Sequence, residues 1–315
     1  MIAFGPVPSR RLGMSLGINN IPPKICTYSC VYCQVGNTLK MSMQRQAFYS
    51  PEEIYNEVSR RVREVQSKGT EIDYLSFVPD GEPTLDINIG KEIQLLKKIG
   101  IKIAVITNAS LLWMEEVRAD ISGADWVCVK VDAVTEDIFK KVDRPYGKLS
   151  LKKIKEGIKK FSDEYKGELV SETMLVKGIN DSEEELERIA GFLSKLHLAH
   201  SYIMIPIRPP AEEWADAPSE NVLNMAYIIF KEHELNPELL TGVEKGSFGF
   251  SGDVEEDLLA TSAVHPMRRE SVEELLRKAG KRWDVVEKLI KEGWLKEVKY
   301  RGKIFYMRAL NKFNR

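Results

Sequence analysis

The chain has 315 residues, of which 43% are apolar and 30% are charged, and this composition excludes a chain that is disordered throughout. Its 46 basic and 47 acidic residues give a net charge of −1, so the protein as a whole has no electrostatic attraction for nucleic acid or an anionic membrane. No apolar run approaches the roughly 18 residues of a membrane span, and the first residues lack a signal-peptide pattern. We therefore expect a cytoplasmic protein.

Short β-branched segments alternate with longer amphipathic ones between residues 13 and 207, which predicts βα units and a parallel sheet. Six strands are predicted, at 13–18, 74–78, 102–106, 126–131, 168–176 and 202–207. The first helix is predicted to begin after Ser50 as N-cap, with Pro51 at the first helical position and Glu53 completing a capping box, and to end before Gly69. Later helices are predicted at 90–99, 112–121, 151–161 and 182–196.

Six βα units are fewer than the eight that close a complete barrel. The α/β sheet is therefore either an open, doubly wound sheet or an incomplete barrel, and periodicity alone does not separate the two. In both architectures the loops at the carboxyl ends of the strands carry the functional residues.

The end of the chain differs in composition from the rest. Residues 265–315 contain fifteen Lys or Arg and seven Asp or Glu, a net of +8 against −9 for residues 1–264. Two predicted helices, 269–279 and 281–292, precede a predicted hairpin of 295–300 and 303–308. This order is typical of a winged helix-turn-helix, so a separate basic module is predicted.

These patterns divide the chain into three parts. Residues 1–212 contain the repeated βα units. Residues 213–262 contain one apolar helix, predicted at 221–232, and a Gly-rich stretch, and they are interpreted as a linker region. Residues 263–315 form the predicted winged-helix-like module.

Three of the four cysteines lie in one short loop after the first predicted strand. Cys26, Cys30 and Cys33 are separated by three and by two residues, and three thiolates so spaced can bind three corners of a [4Fe–4S] cluster, leaving one iron open. A structural zinc site is the alternative, but zinc requires four ligands, and no histidine or fourth cysteine lies nearby in sequence. Cys128 is expected to be a small core residue.

The cysteine loop resembles the C-x3-C-x-aromatic-C signature of the radical S-adenosylmethionine (radical SAM) superfamily, with Tyr32 as the aromatic residue. The resemblance implies that S-adenosylmethionine binds the open iron and is cleaved by one electron to methionine and a 5′-deoxyadenosyl radical. It also implies a partial (β/α)6 TIM-like barrel and an electron donor such as ferredoxin or flavodoxin. Tyr32 would then lie near the adenine, although a loop aromatic packed on the barrel fits the spacing equally well.

Two further segments follow predicted strands and resemble motifs of the same superfamily. Residues 79–84 read Pro-Asp-Gly-Glu-Pro-Thr and resemble its GGE segment, with Asp80 in place of the first glycine. This implies that Gly81 and Glu82 bind the methionine ammonium, whereas the alternative is a plain turn. Asn108, in a segment that resembles the T-N-G turn, would contact ribose or substrate, or else cap the next helix.

Polar residues on the last three predicted strands complete the candidate cofactor site. Asp132 lies two residues from Lys130, on the same face of the fourth strand, and Glu172 lies on the fifth. Arg208, at the end of the sixth, would suit the carboxylate of S-adenosylmethionine or an anionic substrate, because a guanidinium binds carboxylates bidentately. A surface ion pair is the alternative for each. Arg11, beside a second arginine, is expected to be solvated.

The whole set resembles radical SAM enzymes, and among them the uncharacterised relatives grouped with wyosine tRNA-base synthases. Wyosine synthesis itself is not expected, since Cys128 alone cannot hold a second cluster. We predict an enzyme of oxidoreductase-type radical chemistry that modifies a substrate such as tRNA, with the basic module recruiting RNA or protein. The alternative is an iron–sulfur redox-sensing DNA-binding regulator, which would not need polar residues at so many strand ends.

Overall fold

The computed structural model describes residues 2–242 and 248–309. Part of the predicted Gly-rich stretch and the last residues of the predicted basic module therefore lie outside the described residues. Among the helices described, none combines the length and the apolar character that crossing a membrane requires.

The secondary structure alternates strands and helices through most of the chain. The strands are β1 (Ala3–Ser9), β2 (Gly13–Ile18), β3 (Ile25–Cys26), β4 (Lys40–Met41), β5 (Tyr74–Phe77), β6 (Lys102–Thr107), β7 (Trp126–Lys130), β8 (Glu168–Met174), β9 (His200–Met204), β10 (Pro237–Leu240), β11 (Met267–Arg268), β12 (Leu295–Tyr300) and β13 (Lys303–Arg308). The helices are α1 (Pro51–Ser67), α2 (Ile89–Leu96), α3 (Glu115–Ile121), α4 (Glu136–Val142), α5 (Leu151–Glu164), α6 (Glu183–Leu193), α7 (Glu220–Glu232), α8 (Val254–Val264), α9 (Arg269–Lys278) and α10 (Asp284–Lys291).

Eight of these strands form one sheet in the order β1-β2-β5-β6-β7-β8-β9-β10. β1 is antiparallel to β2, and all the other neighbours are parallel. The six predicted strands are confirmed, each within a few residues of its predicted ends, and the sheet is the mostly parallel one that the βα alternation indicated. β1 and β10 are its two edges.

Both edge strands were missed in the sequence. β1 contains two prolines and β10 begins with one, and proline is confined to strand edges because it cannot donate to the ladder. α4 was also missed, since it is only seven residues long.

Helix α1 begins as predicted. The Ser50 side chain accepts a hydrogen bond from the Glu53 amide at 3.1 Å, and Pro51 is the first helical residue. Its apolar stripe is buried in the main core, which covers one face of the parallel sheet. Gly69, just beyond the end of α1, has a positive φ of 78°. Because each helix returns the chain to the same end of the next strand, the candidate residues come together at the carboxyl edge of the sheet.

Residues 248–309, called the C-terminal part below, have a hydrophobic core of their own. Three helices, α8, α9 and α10, pack with an antiparallel sheet in the order β11-β13-β12. The predicted hairpin has the same ends as β12 and β13. Helix α8 was missed because its apolar residues lie all around the helix and give no single apolar face.

A buried ion pair fastens this C-terminal part to the βα units. Arg61 of α1 and Asp257 of α8 form it, with side chains that are 2% and 1% exposed. Arg61 also donates through Nε and Nη2 to the carbonyl of Gly5, at 3.1 and 2.9 Å. The Asp257 carboxylate accepts two further hydrogen bonds, both at 2.9 Å, from the amide and hydroxyl of Ser251. The contact therefore ties α1, β1 and α8 together.

Replacing Asp257 with alanine should lower the free energy of unfolding by about 3–5 kcal/mol, because the guanidinium of Arg61 would stay buried without its counter-ion. Urea unfolding followed by circular dichroism measures this loss. The matched control is Glu255→Ala, which breaks the exposed pair with Lys288 (2.9 Å) and should leave the free energy of unfolding almost unchanged, because solvent screens that pair. Similar losses of unfolding free energy in the two variants would contradict the larger stabilisation expected from the buried pair.

Candidate functional site

The loops at the carboxyl edge of the sheet surround a cavity of about 310 Å³. Nine of the ten predicted site residues line it: Cys26, Cys30, Tyr32, Cys33, Gly81, Glu82, Asn108, Glu172 and Arg208. Asp132 is the exception, since it lies behind this lining. The cavity therefore joins residues that are up to 182 positions apart in the sequence, from Cys26 to Arg208.

The three clustered cysteines are partly buried and share this cavity. Burial raises the pKa of the Cys26 thiol to about 12 and also raises the pKa of Cys30, because the charged thiolate is disfavoured away from water. Cys128 is fully buried on β7 and does not line the cavity. Trp126 and other apolar side chains surround it, and burial raises the pKa of its thiol to about 11 against the opposing effect of Arg11 and Lys130.

The three thiols suit an iron–sulfur cluster, because cysteine thiolates are its ligands and all three line the same cavity. Nowhere in residues 2–242 and 248–309 do three or more His, Cys, Asp or Glu side chains form a group that could hold one metal ion. A cubane distributes its irons over separate corners, so its three ligands surround a wider space than the four ligands of a zinc ion do. Three cysteine thiols around one open cavity match the ligands that such a cluster needs.

Glu82 connects the ends of two neighbouring strands. Its carboxylate accepts hydrogen bonds from the Thr84 hydroxyl (2.6 Å) and amide (3.1 Å), from the Thr107 hydroxyl (2.6 Å) and from the Asn108 amide (2.8 Å). Burial raises the pKa of this carboxyl, and the four hydrogen bonds act in the opposite direction. Glu82 thus builds the wall between β5 and β6, and most of its accepting capacity is already used.

Gly81 lies against the start of the cysteine loop. A Cβ atom at this position would be 1.8 Å from the carbonyl oxygen of Ile25, so no other residue fits without moving backbone. The Glu82 amide donates to the same carbonyl at 3.2 Å. The close approach places the loop of residues 79–84 directly on the strand that carries Cys26.

The Asn108 side chain makes one local hydrogen bond and one hydrogen bond to a residue distant in sequence. Its Oδ1 accepts from the Ser110 amide at 3.0 Å, as a capping residue does. Its Nδ2 donates to the Thr27 hydroxyl at 2.7 Å and contacts Cys26 Sγ at 3.6 Å. Ala109 has a positive φ of 62°, which explains why glycine would be favoured at this position of the turn.

Tyr32 is oriented from behind by Asp132. The tyrosine hydroxyl donates to Asp132 Oδ2, and Asp132 Oδ1 accepts from the Met174 amide at 2.7 Å. In front, Lys130 Nζ lies 4.8 Å from the centre of the Tyr32 ring. Asp132 therefore positions a cavity residue without lining the main cavity itself.

Asp143 was not identified from the sequence, where it has no motif around it. It is buried, and its Oδ1 lies 3.4 Å from Cys30 Sγ and 3.4 Å from the Tyr32 hydroxyl. Burial and the neighbouring Asp132 raise the pKa of Asp143 well above its usual range. The sequence offers no local signal for it, because it reaches the cysteine loop only through the tertiary fold.

Glu172 forms an ion pair with Arg11 inside the cavity, and Lys130 Nζ lies 3.9 Å from its other oxygen. The expectation that Arg11 is solvated was wrong: its side chain is 15% exposed and lines the cavity. The adjacent Arg10 is held by main chain, since its Nη1 donates to the carbonyl of Gly242 at 3.0 Å. Two neighbouring arginines thus have different environments, which the sequence alone does not distinguish.

Arg208 joins the cysteine loop to the C-terminal part. Its Nη1 donates to Gln34 Oε1 and its Nη2 donates to His265 Nε2, both at 3.0 Å. Gln34 directly follows Cys33, and its Nε2 donates to the carbonyl of Val264 at 2.9 Å. Val264 and His265 also line the cavity. The C-terminal part therefore supplies one wall of the site, a role that the sequence did not predict.

Asp80 is a third buried carboxylate at the cavity, besides Glu82 and Glu172, and is 4% exposed. Its carbonyl accepts from the Lys24 amide at 2.8 Å, which fixes the backbone. Within the described residues its side-chain Oδ1 has no hydrogen-bond partner. Burial raises the pKa of Asp80 to about 6, although Lys24 and Arg308 lower it.

Comparison with known proteins identifies the family. Residues 20–192 match the model of the Radical SAM superfamily. The UPF0026 protein MJ1312 of Methanocaldococcus jannaschii is 48% identical over 311 residues, covering 98% of this chain and 96% of that protein. The S-adenosyl-L-methionine-dependent tRNA 4-demethylwyosine synthase TYW1 of Mus musculus is 29% identical over 139 residues, covering 39% of this chain and 19% of that protein.

Solved structures show the same fold at low sequence identity. Streptococcus suis SuiB bound to S-adenosylmethionine is 12% identical and superposes with a TM-score of 0.52, over 72% of this chain and 49% of that one. The cysteine signature, the parallel sheet and the family match agree with one another. The chain belongs to the radical SAM superfamily, whose cofactors are a [4Fe–4S] cluster and S-adenosylmethionine.

Proposed function

We propose that this protein is an enzyme that reductively cleaves S-adenosylmethionine and uses the resulting 5′-deoxyadenosyl radical to modify a substrate. The observation that carries the proposal is the shared cavity: three thiols of one loop open into the same space as Gly81 and Asn108. The bound cluster would supply the electron, which an external donor such as ferredoxin or flavodoxin would provide. The protein's own residues hold and orient the reactants.

Different residues of the cavity would bind the cluster and the different parts of S-adenosylmethionine. Cys26, Cys30 and Cys33 would ligate three irons and leave the fourth for the cofactor. Tyr32, fixed from behind by a carboxylate, is suited to an adenine contact. Asn108, held between two loops, is suited to a ribose or substrate contact.

Charged residues at the far side of the same cavity would recognise anionic groups. Arg208 is the candidate for a carboxylate, of the cofactor or of a substrate, and Glu172 is its acidic counterpart beside Arg11 and Lys130. Asp132 would act through Tyr32 rather than by direct contact. The subgroup of wyosine tRNA-base synthases supports a macromolecular substrate such as tRNA without identifying the modified position.

The C-terminal part would recruit that substrate. The order of α8, β11, α9, α10, β12 and β13 supports a winged-helix-like module, predicted at 263–315. Its hairpin tip is already engaged, because Tyr300 donates to the carbonyl of Pro206 at 3.2 Å and Arg301 pairs with Asp216. Three exposed lysines of the hairpin, Lys296, Lys299 and Lys303, make no ion pair with any described residue and could meet phosphates.

One observation favours the alternative of a redox-sensing DNA-binding regulator. Gln34, the neighbour of Cys33, donates to the C-terminal part at Val264, so a change at the cluster could reach the basic module. The enzyme is the better-supported function, since a sensor would not require a cavity of about 310 Å³ lined by so many polar strand-end residues.

Anaerobically reconstituted protein should bind about four irons and four sulfides and, when reduced, should slowly release 5′-deoxyadenosine from S-adenosylmethionine without substrate. Alanine at Cys26, Cys30 or Cys33 should abolish both, because the three thiols act together. Cys128→Ala is the matched control and should retain both. Iron analysis and chromatography of the nucleoside measure the outcome. Bound zinc without sulfide would contradict the cluster, and an intact cofactor on a reducible cluster would favour the regulator.

Full-length protein should bind tRNA with an affinity that falls steeply as salt rises, since released counter-ions drive phosphate binding. Glutamine at Lys296, Lys299 and Lys303 together should flatten this salt dependence. Lys288→Gln is the control, because Lys288 is already paired with Glu255. Fluorescence anisotropy at several salt concentrations measures the slope. Negligible binding of RNA and DNA at low salt would favour a protein partner instead.

A further inference from the structure

Trp214 is exposed, unlike the other tryptophans of the chain. It is 52% exposed, whereas the other four are buried or partly buried: Trp113, Trp126, Trp283 and Trp294. A tryptophan ring has a large apolar area to cover and few rotatable bonds, so it contacts a ligand at little cost in conformational entropy. For these reasons tryptophan is enriched at binding surfaces. The exposed ring of Trp214 therefore indicates a contact with a partner.

The loop that carries Trp214 is anchored on the cysteine loop. The Glu212 amide donates to the carbonyl of Val31, between two of the clustered cysteines, at 2.9 Å. The Ala215 amide donates to the Glu212 carbonyl at 2.9 Å, and Ala215 itself is fully buried in the main core. The ring of Trp214 is thus displayed by a fixed segment at the carboxyl edge of the sheet, beside the loop that carries the cysteines.

The acidic residues around Trp214 are mostly neutralised. Glu212 forms an ion pair with Arg144, and Asp216 forms one with Arg301 of the hairpin tip. The second pair also brings the tip of the β12–β13 hairpin to within two residues of Trp214 along the loop. The aromatic ring therefore lies next to the basic hairpin, and two of the nearby carboxylates do not repel an anion.

The hairpin adds positive charge at this place. Lys299 and Lys303 lie within two residues of its tip, are exposed and form no ion pair among the described residues. Glu213 is the remaining carboxylate of the loop without an ion pair in the described part of the chain, so the lysines exceed it by one charge. An exposed ring beside excess positive charge is complementary to a polyanion with flat, stackable groups.

We propose that Trp214 is a stacking platform for an unpaired base of an RNA substrate, with Lys299 and Lys303 binding the phosphates beside that base. The inference rests on the proposed function, because it brings RNA to the edge of the sheet at which the cavity lies. Aromatic rings among basic side chains commonly hold single-stranded RNA, since the ring stacks on a base and the basic groups bind the backbone.

Stacking at this edge of the sheet would assist a reaction on RNA. An enzyme that modifies a base must first remove it from its stack, at a cost in free energy. A base stacked on Trp214 would offset part of that cost for the nucleotides next to it. The substrate class is therefore an RNA with unpaired nucleotides, such as a tRNA loop, and not a continuous double helix.

The experiment titrates the reconstituted protein with a single-stranded oligoribonucleotide. Because Trp214 is the exposed tryptophan, a stacked base should quench the solvent-exposed part of the tryptophan emission, and Trp214→Ala should abolish this quenching. Fluorescence anisotropy of labelled RNA should show about 10- to 100-fold weaker binding by Trp214→Ala, and Trp214→Phe should retain most of the affinity. The loss should be the same at every salt concentration, since stacking releases no counter-ions.

Ile228→Ala is the matched control, because Ile228 is an apolar residue of α7 that is similarly exposed, at 54%, and this variant should bind RNA like the wild type. An oligomer of equal length without bases is the matched ligand, which the wild type and Trp214→Ala should bind equally. Circular dichroism verifies the fold of each variant.

Unchanged RNA affinity of Trp214→Ala, or an equal loss for the oligomer without bases, would overturn the stacking role of Trp214. Negligible binding of both oligomers at low salt would overturn the RNA substrate and favour a protein partner. Release of 5′-deoxyadenosine by the wild type in the absence of RNA tests the proposed function separately, so failure of the enzyme and failure of the RNA contact are distinguished.

Discussion

The carboxylate of Glu82 holds the site together, because four hydrogen bonds from three residues meet on its two oxygens. These bonds join the loop after β5 to the turn after β6, and the Asn108 side chain then extends the connection to Thr27 beside Cys26. A buried carboxylate that loses donors costs several kcal/mol, so each of these hydrogen bonds stabilises the site. The geometry of the cysteine loop depends on it.

Packing of the backbone completes that constraint. The contact between Gly81 and the Ile25 carbonyl brings two loops closer than any side chain would allow. A glycine at this place therefore has a steric reason that is independent of any ligand. The adjacent Asp80 has the opposite character, because its carboxylate is buried and one of its oxygens has no hydrogen-bond partner among the described residues.

The C-terminal part contributes residues to the site itself, in addition to the role in recruitment that is proposed for it. Val264 and His265 line the cavity, while Gln34 and Arg208 fasten them to the cysteine loop. The anchor at Arg61 and Asp257 is buried, whereas the contact of Arg301 with Asp216 at the hairpin tip is exposed to solvent. A buried ion pair resists separation more than an exposed one does.

The sequence by itself determined the parallel βα pattern, the start of α1, the ends of the hairpin and the cysteine spacing, because each depends on neighbours within a few residues. It also indicated that Glu82, Asn108 and Arg208 would meet, since the carboxyl ends of parallel strands share one edge. Only the tertiary structure placed Arg11, Gln34 and His265 at the cavity and Asp132 and Asp143 behind it. Those positions depend on contacts between distant segments, and periodicity carries no information about which buried charges will find partners.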